Sequence, residues 1–521
     1  MPPTLSSAPD ASERRPEQPR HRRGLDALHR VPRPVRSVWL WPVLATLVVG
    51  LYHVTVPVMW HDELATLSVV RRPAGDIIDM IRHVDAVHGT YYLFLHFWIS
   101  VFGESPLAMR LPSVLAMAGA AGCTALAGRR MFDARAGLVA GLVFAMLPTV
   151  ARYGQEARSY GFVVFAAAAA LVLLLRALER PTALRWLAYA VALCCSGYLH
   201  LVSLVYLAPH AVGVALAWWR DRRNWRLPAG FVGAVLAAVV AAYPLVHLSG
   251  KQAARQIGWI GRPVFGDLWN IWPQILGGTS VTVAVLTVAV LAVGSKRPGS
   301  VLLGWCLALI PVGALWVAST HGSVSYFMPK YMFFVLPGVS VLAGAGLALV
   351  RLRATLAGLA VIGLLALPDQ RVLHGTLSHA KYVYPVPVTW FDPLDYRAAA
   401  RLVAAGYHPG DAVAYGQNQW QLWWGVDIGV RYYLPKDIVL RDVFAGQSGQ
   451  ERDDLWPTLT PDPKTALGTT PPPRIWLVTK DGGQDPFGTL PPAYAKALQD
   501  RYKLDHVKTV SGMAVSLLVR R

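Results

Sequence analysis

The chain has 521 residues, of which 54% are hydrophobic and only 15% are charged, and its mean hydropathy is +0.38. Soluble domains carry about a quarter charged residues, so this composition excludes an ordinary soluble protein and predicts a polytopic membrane protein. The net charge of +19 does not indicate nucleic-acid binding, because Lys and Arg concentrate in short loops between apolar segments. We therefore expect membrane lipid, and no nucleic acid, among the partners.

The N-terminal stretch 1–38 is rich in Pro, Arg and Ser and contains no apolar segment. This composition predicts a disordered, basic tail on the cytoplasmic side. The first apolar segment starts too late for a cleavable signal peptide, and we interpret it as a signal anchor. The four cysteines all lie in apolar segments and are interpreted as small hydrophobic residues: Cys123, Cys194, Cys195 and Cys306.

Eleven apolar segments between residues 39 and 367 are long enough, or nearly long enough, to cross a bilayer. They are 39–57, 107–128, 136–150, 160–176, 186–199, 201–219, 229–248, 278–295, 300–318, 331–350 and 354–367. We therefore predict an all-α membrane domain over 39–367, with about eleven transmembrane helices.

The segment Thr90–Gly103 is apolar but too short for a straight span, which favours a helix lying along the membrane surface. With this segment on the outer surface, five basic loops and the N-terminal tail fall on one side of the membrane. Those loops carry fourteen Lys and Arg against three acids, and the positive-inside rule makes their side cytoplasmic. The first loop, 58–106, and the C-terminal region are then predicted outside.

The C-terminal region 368–521 has a different pattern. Helical periodicity covers Asp395–Tyr407 and Ala493–Tyr502, whereas Asp411–Gly416, Arg474–Lys480 and Gly512–Arg521 resemble strands. The stretch Pro457–Pro473 is predicted to be a long loop. This pattern predicts a small extracytoplasmic α/β domain.

Charged residues collect in the loops predicted to lie outside, next to the ends of the membrane helices. They include Asp62, Glu63, Arg152, Glu156, Arg158 and Lys330. Cations in such a place suit a phosphate, and Arg can bind it with two nitrogens at once. A carboxylate beside them suits a general base for an incoming hydroxyl. A lipid-linked phosphosugar meets both requirements, because its phosphate lies at the membrane surface.

The order of motifs resembles the GT-C fold glycosyltransferases, in particular the protein O-mannosyltransferase/aminoarabinose transferase superfamily. The resemblance rests on the Asp62-Glu63 pair, on FGESPLAMRLPS (Phe102–Ser113), on GRRMFDARAGLVAG (Gly128–Gly141) and on RYGQEARSYG (Arg152–Gly161). Where many members have a His/Lys-Pro-Pro motif, this chain has His88 followed by Gly89-Thr90. The resemblance to this superfamily covers about residues 40–350. The amino-acid composition hints at an actinobacterial source.

The resemblance implies an inverting transfer of a sugar from a polyprenyl phosphate to an acceptor hydroxyl on the extracytoplasmic face. It implies that Asp62 is the base and that Glu63 and Glu156 help to position a substrate. The residues implied in binding the donor or acceptor are His88, Arg152, Arg158 and Lys330. The expected donor sugar is a hexose, in the first place mannose, and the acceptor is a protein, a glycan or a lipid. No cofactor is expected, and two adjacent carboxylates are too few to indicate a divalent metal.

Plainer interpretations exist for the same residues. Asp62 can be the N-cap of a short helix, Glu63 a solvated neighbour, and Arg152 and Arg158 anchors for lipid headgroups. A pentose or aminosugar transferase of the same fold would share every motif. For a transporter we expect charged residues in the middle of the membrane helices and internal sequence repeats. The sequence has few such charges and no internal repeat. A sensor or scaffold with an external ligand-binding domain is the remaining alternative.

Overall fold

In the computed structural model the chain is described over residues 37–377, 393–416, 425–480 and 485–521. Almost all of the predicted tail 1–38 lies outside the described residues, and its disorder stays a prediction. The described chain divides into a helical part up to residue 377 and a part with helices and strands from residue 393 onward.

Seventeen α-helices lie within the described residues 37–377. They are α1 (Leu40–Leu51), α2 (His61–Val70), α3 (Ala74–His83), α4 (Gly89–Phe102), α5 (Pro106–Met131), α6 (Ala134–Met146), α7 (Pro148–Gly154), α8 (Tyr160–Glu179), α9 (Ala183–Leu199), α10 (Leu207–Arg220), α11 (Arg226–Ile257), α12 (Asp267–Asn270), α13 (Trp272–Leu276), α14 (Thr279–Leu291), α15 (Pro298–His321), α16 (Leu336–Ala348) and α17 (Leu352–Leu373). A short 3-10 helix, Ala86–His88, precedes α4.

Within the described residues, six helices are long and apolar enough to cross a membrane, and the number rises to 8 if two bent pairs each form one span. The bent pairs are α6 with α7, at 64°, and α12–α13 with α14, at 99°. The second bend lies at Gly277 and Gly278, whose φ angles of 94° and 158° favour glycine. Three shorter apolar helices, α1, α9 and the Phe333–Ala348 stretch, would bring the total to the predicted eleven. That number stays a prediction.

The helices of the bundle pack closely where small residues face each other. A Cβ added at Gly137 of α6 would lie 2.4 Å from the carbonyl oxygen of Ala125 in α5. One added at Gly344 of α16 would lie 2.5 Å from the carbonyl oxygen of Ala136. Such contacts between backbones are typical of helix packing in membranes, where burial of apolar surface supplies little driving force. They explain why these segments are so rich in Gly and Ala.

Helices α2, α3 and α4 lie across one end of the bundle, which we call the α2–α4 face. Helix α4 covers the segment predicted to lie along the membrane surface. At about 1.5 Å per residue its fourteen residues span about 21 Å, less than a ~30 Å hydrocarbon core. One side of α4 is buried, including Tyr91 and Tyr92, whereas Phe97 and Val101 on the other side are 61% and 73% exposed. The exposed side is apolar, and the placement of α4 along the membrane surface stays a prediction.

As far as the structure describes it, the C-terminal part is a five-stranded sheet with helices against it. Its elements are α18 (Tyr396–Gly406), β1 (Ala412–Tyr415), α19 (Val426–Tyr433), β2 (Arg441–Asp442), α20 (Pro463–Ala466), β3 (Arg474–Lys480), α21 (Pro492–Gln499), β4 (Tyr502–Val510) and β5 (Met513–Arg520). The strand order is β2-β1-β3-β5-β4; β2, β1 and β3 are parallel, and β5 runs antiparallel to both β3 and β4. The predicted α/β character is confirmed.

Several details of this region differ from the sequence prediction. Helix α21 ends at Gln499, and Tyr502 begins β4, a strand that the sequence reasoning did not anticipate. Strand β4 lies at the edge of the sheet and carries exposed Lys503, Asp505 and Lys508. Charged residues are usual on edge strands, but they hide the alternating pattern by which a strand is recognised. The predicted loop Pro457–Pro473 also contains the one-turn helix α20.

One hydrophobic core joins the sheet to the α2–α4 face. It contains Leu64 of α2 and Tyr91 of α4 together with Val413 of β1, Trp476 of β3 and Val515 of β5. Polar contacts cross the same boundary: the backbone N–H of Met59 donates to the Tyr433 hydroxyl at 2.9 Å. The C-terminal part is therefore packed on the end of the bundle that carries α2.

Candidate active site

Asp62 lies in the first turn of α2, on the α2–α4 face. Its Oδ2 accepts a hydrogen bond from Lys330 Nζ at 3.1 Å and lies 3.9 Å from Arg158 Nε. Burial alone would raise the pKa of Asp62, but Lys330 and Arg158 outweigh burial and hold the pKa well below its ordinary value. Helix α2 begins at His61 after Trp60, so Asp62 is inside the helix and is not its N-cap.

Lys330 lies in the 3-10 turn Pro329–Tyr331 that leads toward α16. Its ammonium group is 5.8 Å from the ring centroid of Trp60 and 5.7 Å from that of Tyr160. Both distances are within the range of cation–π attraction. The aromatic rings and Asp62 together hold this cation beside the carboxylate.

Arg158 is buried between α2 and α4. Its Nη1 donates to the Tyr92 hydroxyl at 3.0 Å and to Thr66 Oγ1 at 3.3 Å. These contacts leave Nε directed toward Asp62 without a hydrogen bond to a described residue. The carboxylate thus faces two cations supplied by segments that lie far apart in the sequence.

Arg152 and Glu156 are buried charged side chains close to this group. The guanidinium of Arg152 lies 5.6 Å from the ring of Trp60 and 5.0 Å from that of Tyr153. Neither its nitrogens nor the carboxylate oxygens of Glu156 make a well-formed hydrogen bond to a described residue. Burial, only partly offset by Arg152, raises the pKa of Glu156 to about 8. Buried polar groups without partners cost free energy, and functional sites are where proteins retain them.

Glu63 lies beside Asp62 but faces away from Lys330 and Arg158. Its side chain is fully buried and pairs with Arg110 of α5 through two hydrogen bonds of 2.8 and 2.7 Å. It also accepts hydrogen bonds from the backbone N–H groups of Ala157 at 3.0 Å and Trp60 at 3.4 Å. Both oxygens are therefore occupied by the protein, and the pair ties the start of α2 to α5 and to the turn that carries Arg158.

His88 ends the 3-10 helix before α4 and is buried. Its Nδ1 lies 3.2 Å from Ser159 Oγ, and its ring centroid is 5.8 Å from that of His200. Burial, reinforced by Arg158, lowers the pKa of His88 well below its ordinary value. The ring is therefore neutral, and it can offer a hydrogen bond but no positive charge.

The structure thus brings Asp62, Arg158 and Lys330 into direct proximity, with Arg152, Glu156 and His88 next to them. Two further basic residues, Arg255 of α11 and Arg262 after that helix, make contacts away from Asp62. Arg255 pairs with Asp454 of the C-terminal part at 2.7 Å, and Arg262 donates to the carbonyl oxygen of Gly322 at 3.2 Å.

Three residues of this region were missed by the sequence reasoning. Arg110 was quoted only as part of the RLPS motif, although a charge inside an apolar helix was itself a signal. For Asp85 and Tyr92 the sequence offers no comparable signal. These residues become relevant only through side-chain contacts between different segments of the chain. Among the described residues, no group of three or more His, Cys, Asp or Glu side chains is placed to hold a metal ion.

Comparisons with known proteins agree with this architecture. The sequence model of the dolichyl-phosphate-mannose-protein mannosyltransferase family matches residues 90–247. ArnT from Cupriavidus metallidurans in the apo state has a TM-score of 0.58 at 15% identity, with 92% of this chain and 97% of that chain covered. The same protein bound to undecaprenyl phosphate has a TM-score of 0.55 at 14% identity, with the same coverage. A comparison with curated proteins gives no match.

The likeness to ArnT shows the fold over nearly the whole length of both chains, and the family match includes Arg152, Glu156 and Arg158. The chain has the GT-C fold of membrane glycosyltransferases. The family match, over less than a third of the chain, agrees with the glycosyltransferase superfamily that the sequence motifs predicted. The apolar helices and the fold are those of a multi-pass membrane protein.

Proposed function

We propose that the protein transfers a sugar from a polyprenyl-phosphate donor to an acceptor hydroxyl, with Asp62 as the general base. The observation that carries this proposal is one carboxylate flanked by the cations Lys330 and Arg158, with a third buried cation, Arg152, close to the same group. The structure of ArnT with undecaprenyl phosphate supports a polyprenyl phosphate as donor.

The positive groups suit the phosphate of such a donor. Arg152 lacks a well-formed hydrogen bond to a described residue, and Arg158 Nε lacks one as well. A phosphate would supply the acceptors that these nitrogens lack, through charge-assisted hydrogen bonds. Its negative charge would also draw Lys330 and Arg158 away from Asp62. The pKa of Asp62 would then rise toward the range in which a carboxylate accepts a proton.

The reaction follows from this geometry. The acceptor oxygen forms a bond to the anomeric carbon of the sugar while the bond from that carbon to the phosphate oxygen breaks. The acceptor proton passes to Asp62. The leaving polyprenyl phosphate keeps the electron pair, and the cations stabilise its charge. Because attack and departure occur on opposite sides of the carbon, the configuration inverts. We assign Glu156 and His88, both neutral, to hydrogen bonding with a substrate, and Glu63 to holding α2 in place.

We propose mannose as the donor sugar, with a pentose or an aminosugar as the alternative. The name of the matching family supports mannose. The acceptor is a hydroxyl of a protein, a glycan or a lipid. We place the site and the C-terminal part, 368–521, on the extracytoplasmic side and the tail 1–38 in the cytoplasm.

The test uses the protein in lipid, with labelled polyprenyl-phosphate mannose as donor and a membrane extract as acceptor. We expect Asp62→Asn to lower transfer about 10²–10⁴-fold, the usual contribution of a positioned base. The same variant should bind undecaprenyl phosphate at least as tightly as the wild type, because it removes an anion from the phosphate site. Asp79→Asn, an exposed carboxylate of α3, is the matched control.

Full transfer by Asp62→Asn would disprove the base assignment. Weaker binding of undecaprenyl phosphate by that variant would disprove the proposed competition between Asp62 and the donor for the cations. If the wild type transfers no mannose, a panel of polyprenyl-phosphate pentoses and aminosugars decides the donor.

A further inference from the structure

Asp85 is buried beside the site, yet the reaction proposed above does not use it. It precedes the 3-10 helix Ala86–His88 and has a φ of 59°, in the left-handed region that Asp and Asn tolerate better than most residues. Its side chain lies in the interior, with only 8% of the residue exposed. Both of its carboxylate oxygens have partners: the Tyr92 hydroxyl donates to Oδ2, and Gln256 Nε2 donates to Oδ1 at 3.3 Å.

Tyr92 connects Asp85 to Arg158. A tyrosine hydroxyl has one proton to donate, and here that proton goes to Asp85. Its lone pairs are then left for Arg158, whose Nη1 donates to the hydroxyl oxygen at 3.0 Å. Asp85 thus fixes the direction of the Tyr92 hydroxyl, and that direction makes the hydroxyl an acceptor for the guanidinium. The chain of contacts ends at Asp62, 3.9 Å from Arg158 Nε.

Helix α11 holds the turn that contains Asp85 in place. Besides Gln256, its residue Gln252 accepts a hydrogen bond from the backbone N–H of Ala86 at 2.9 Å and donates to the carbonyl oxygen of Ile81 at 3.0 Å. From the same helix, Arg255 pairs with Asp454 of the C-terminal part. The turn that contains Asp85 is therefore held by a helix that is itself tied to the C-terminal part.

We propose that Asp85 is a positioning residue, which acts through Tyr92 to hold the Arg158 guanidinium in the orientation that binds the donor phosphate. This inference rests on the proposed function, because it assumes that Arg158 contacts that phosphate. Asp85 itself touches neither substrate. Asp85 restricts the rotation of the Arg158 side chain before the donor binds. Binding of the donor therefore costs less conformational entropy.

Three variants test the proposal in the full-length protein: Asp85→Asn, Tyr92→Phe and the double variant. Asn tolerates the left-handed backbone, but its NH₂ group can donate to the Tyr92 oxygen and so turn the hydroxyl proton toward Arg158. Phe keeps the ring and removes the acceptor. We expect each single variant to bind undecaprenyl phosphate about ten- to hundredfold more weakly, as for a lost charge-assisted hydrogen bond. The double variant should lie within about twofold of the weaker single variant, because both act through one chain.

A kinetic measurement separates positioning from general damage. We expect the donor KM to rise, whereas the acceptor KM stays within about twofold of the wild type. Asp79→Asn should change neither value. Unchanged binding of undecaprenyl phosphate by Tyr92→Phe would overturn the inference and leave the proposed function intact. Additive losses in the double variant would also overturn it. A wild type that does not bind undecaprenyl phosphate would overturn the inference together with the proposed phosphate site.

Discussion

Glu156 and Asp62 are neighbouring acids with opposite properties. Lys330 and Arg158 keep Asp62 ionised, whereas burial raises the pKa of Glu156 to about 8, so Glu156 holds a proton at neutral pH. Pairs of acids whose surroundings push their pKa values apart are typical of sites that need one anion and one neutral hydrogen-bond donor. Here the anion would accept the proton of the acceptor, and the neutral acid would bind a substrate oxygen.

The raised pKa predicts how stability depends on pH. An unfolded glutamate titrates near ~4.3, so between that pH and about 8 the folded state holds a proton that the unfolded state releases. Stability should therefore fall as pH rises through this window, by up to about 1.4 kcal/mol per pH unit from this one group. Asp62 adds no slope there, because its pKa is lowered and its contribution is already complete above about pH 4.

The measurement is the apparent Tm between pH 5 and 9 of the wild type, Glu156→Gln and the control Glu179→Gln, an exposed glutamate of α8. We expect Glu156→Gln to flatten the dependence of the apparent Tm on pH. Compared with the wild type, the variant should be more stable at pH 8 than at pH 5. Profiles that are parallel for all three proteins would contradict a buried, protonated Glu156.

At the scale of elements, the Glu63–Arg110 pair joins α2 to the long helix α5. Neither side chain is exposed, and Arg110 Nη1 also donates to the carbonyl oxygens of Val54 and Pro57 at 2.7 and 3.0 Å. The pair therefore fixes both the chain entering α2 and the first turn of that helix, where Asp62 lies. It holds Asp62, the proposed base, in place.

Breaking this pair should destabilise the protein strongly. Arg110→Met leaves the Glu63 carboxylate buried without its cation, which costs about 3–5 kcal/mol in comparable pairs. Adding Glu63→Gln should recover part of that loss, because no buried charge remains. The free energy of unfolding, or the apparent Tm in detergent, measures both effects. Arg71→Met, in an exposed pair with Glu104, is the control and should cost no more than about 1 kcal/mol. Equal losses for Arg71→Met and Arg110→Met would contradict this account.

At the scale of the whole molecule, the C-terminal part and the candidate site share one end of the bundle. The core that contains Leu64, Tyr91 and Trp476 makes them one packed unit. Whichever side of the membrane holds the sheet must therefore also hold Asp62. The side of the membrane on which both lie is predicted from the basic loops.

Labelling with a membrane-impermeant maleimide tests that side. We expect Lys503→Cys, in the exposed edge strand β4, to react in intact cells. Arg222→Cys, in the exposed loop after α10, should react only after permeabilisation, because the positive-inside rule places its loop in the cytoplasm. The wild type, whose cysteines lie in apolar helices, provides the background. The opposite pattern would reverse the orientation, and equal labelling would mean that both residues lie on one side.

Much of the architecture was predictable because it depends on local composition. Apolar segments of membrane length, the short apolar helix α4 and the change of pattern before the C-terminal sheet can all be recognised within a few dozen residues. Strand β4 was missed because its charges obscure the alternation, and the number of spans stays open because several helices are short or bent. In the site, the sequence indicated Asp62, Arg152, Glu156, Arg158 and Lys330 as charged residues beside membrane helices.

What the sequence by itself determined is therefore the class of protein, the membrane bundle and the set of charged residues near its end. Only the tertiary structure decided which of these residues meet. It placed Lys330 and Arg158 against Asp62, turned Glu63 toward Arg110 and linked Asp85 to Arg158 through Tyr92. The physical reason is that these contacts join side chains from distant segments, whose approach depends on how the helices pack. Hydropathy and charge patterns record the surroundings of each segment but not its partners.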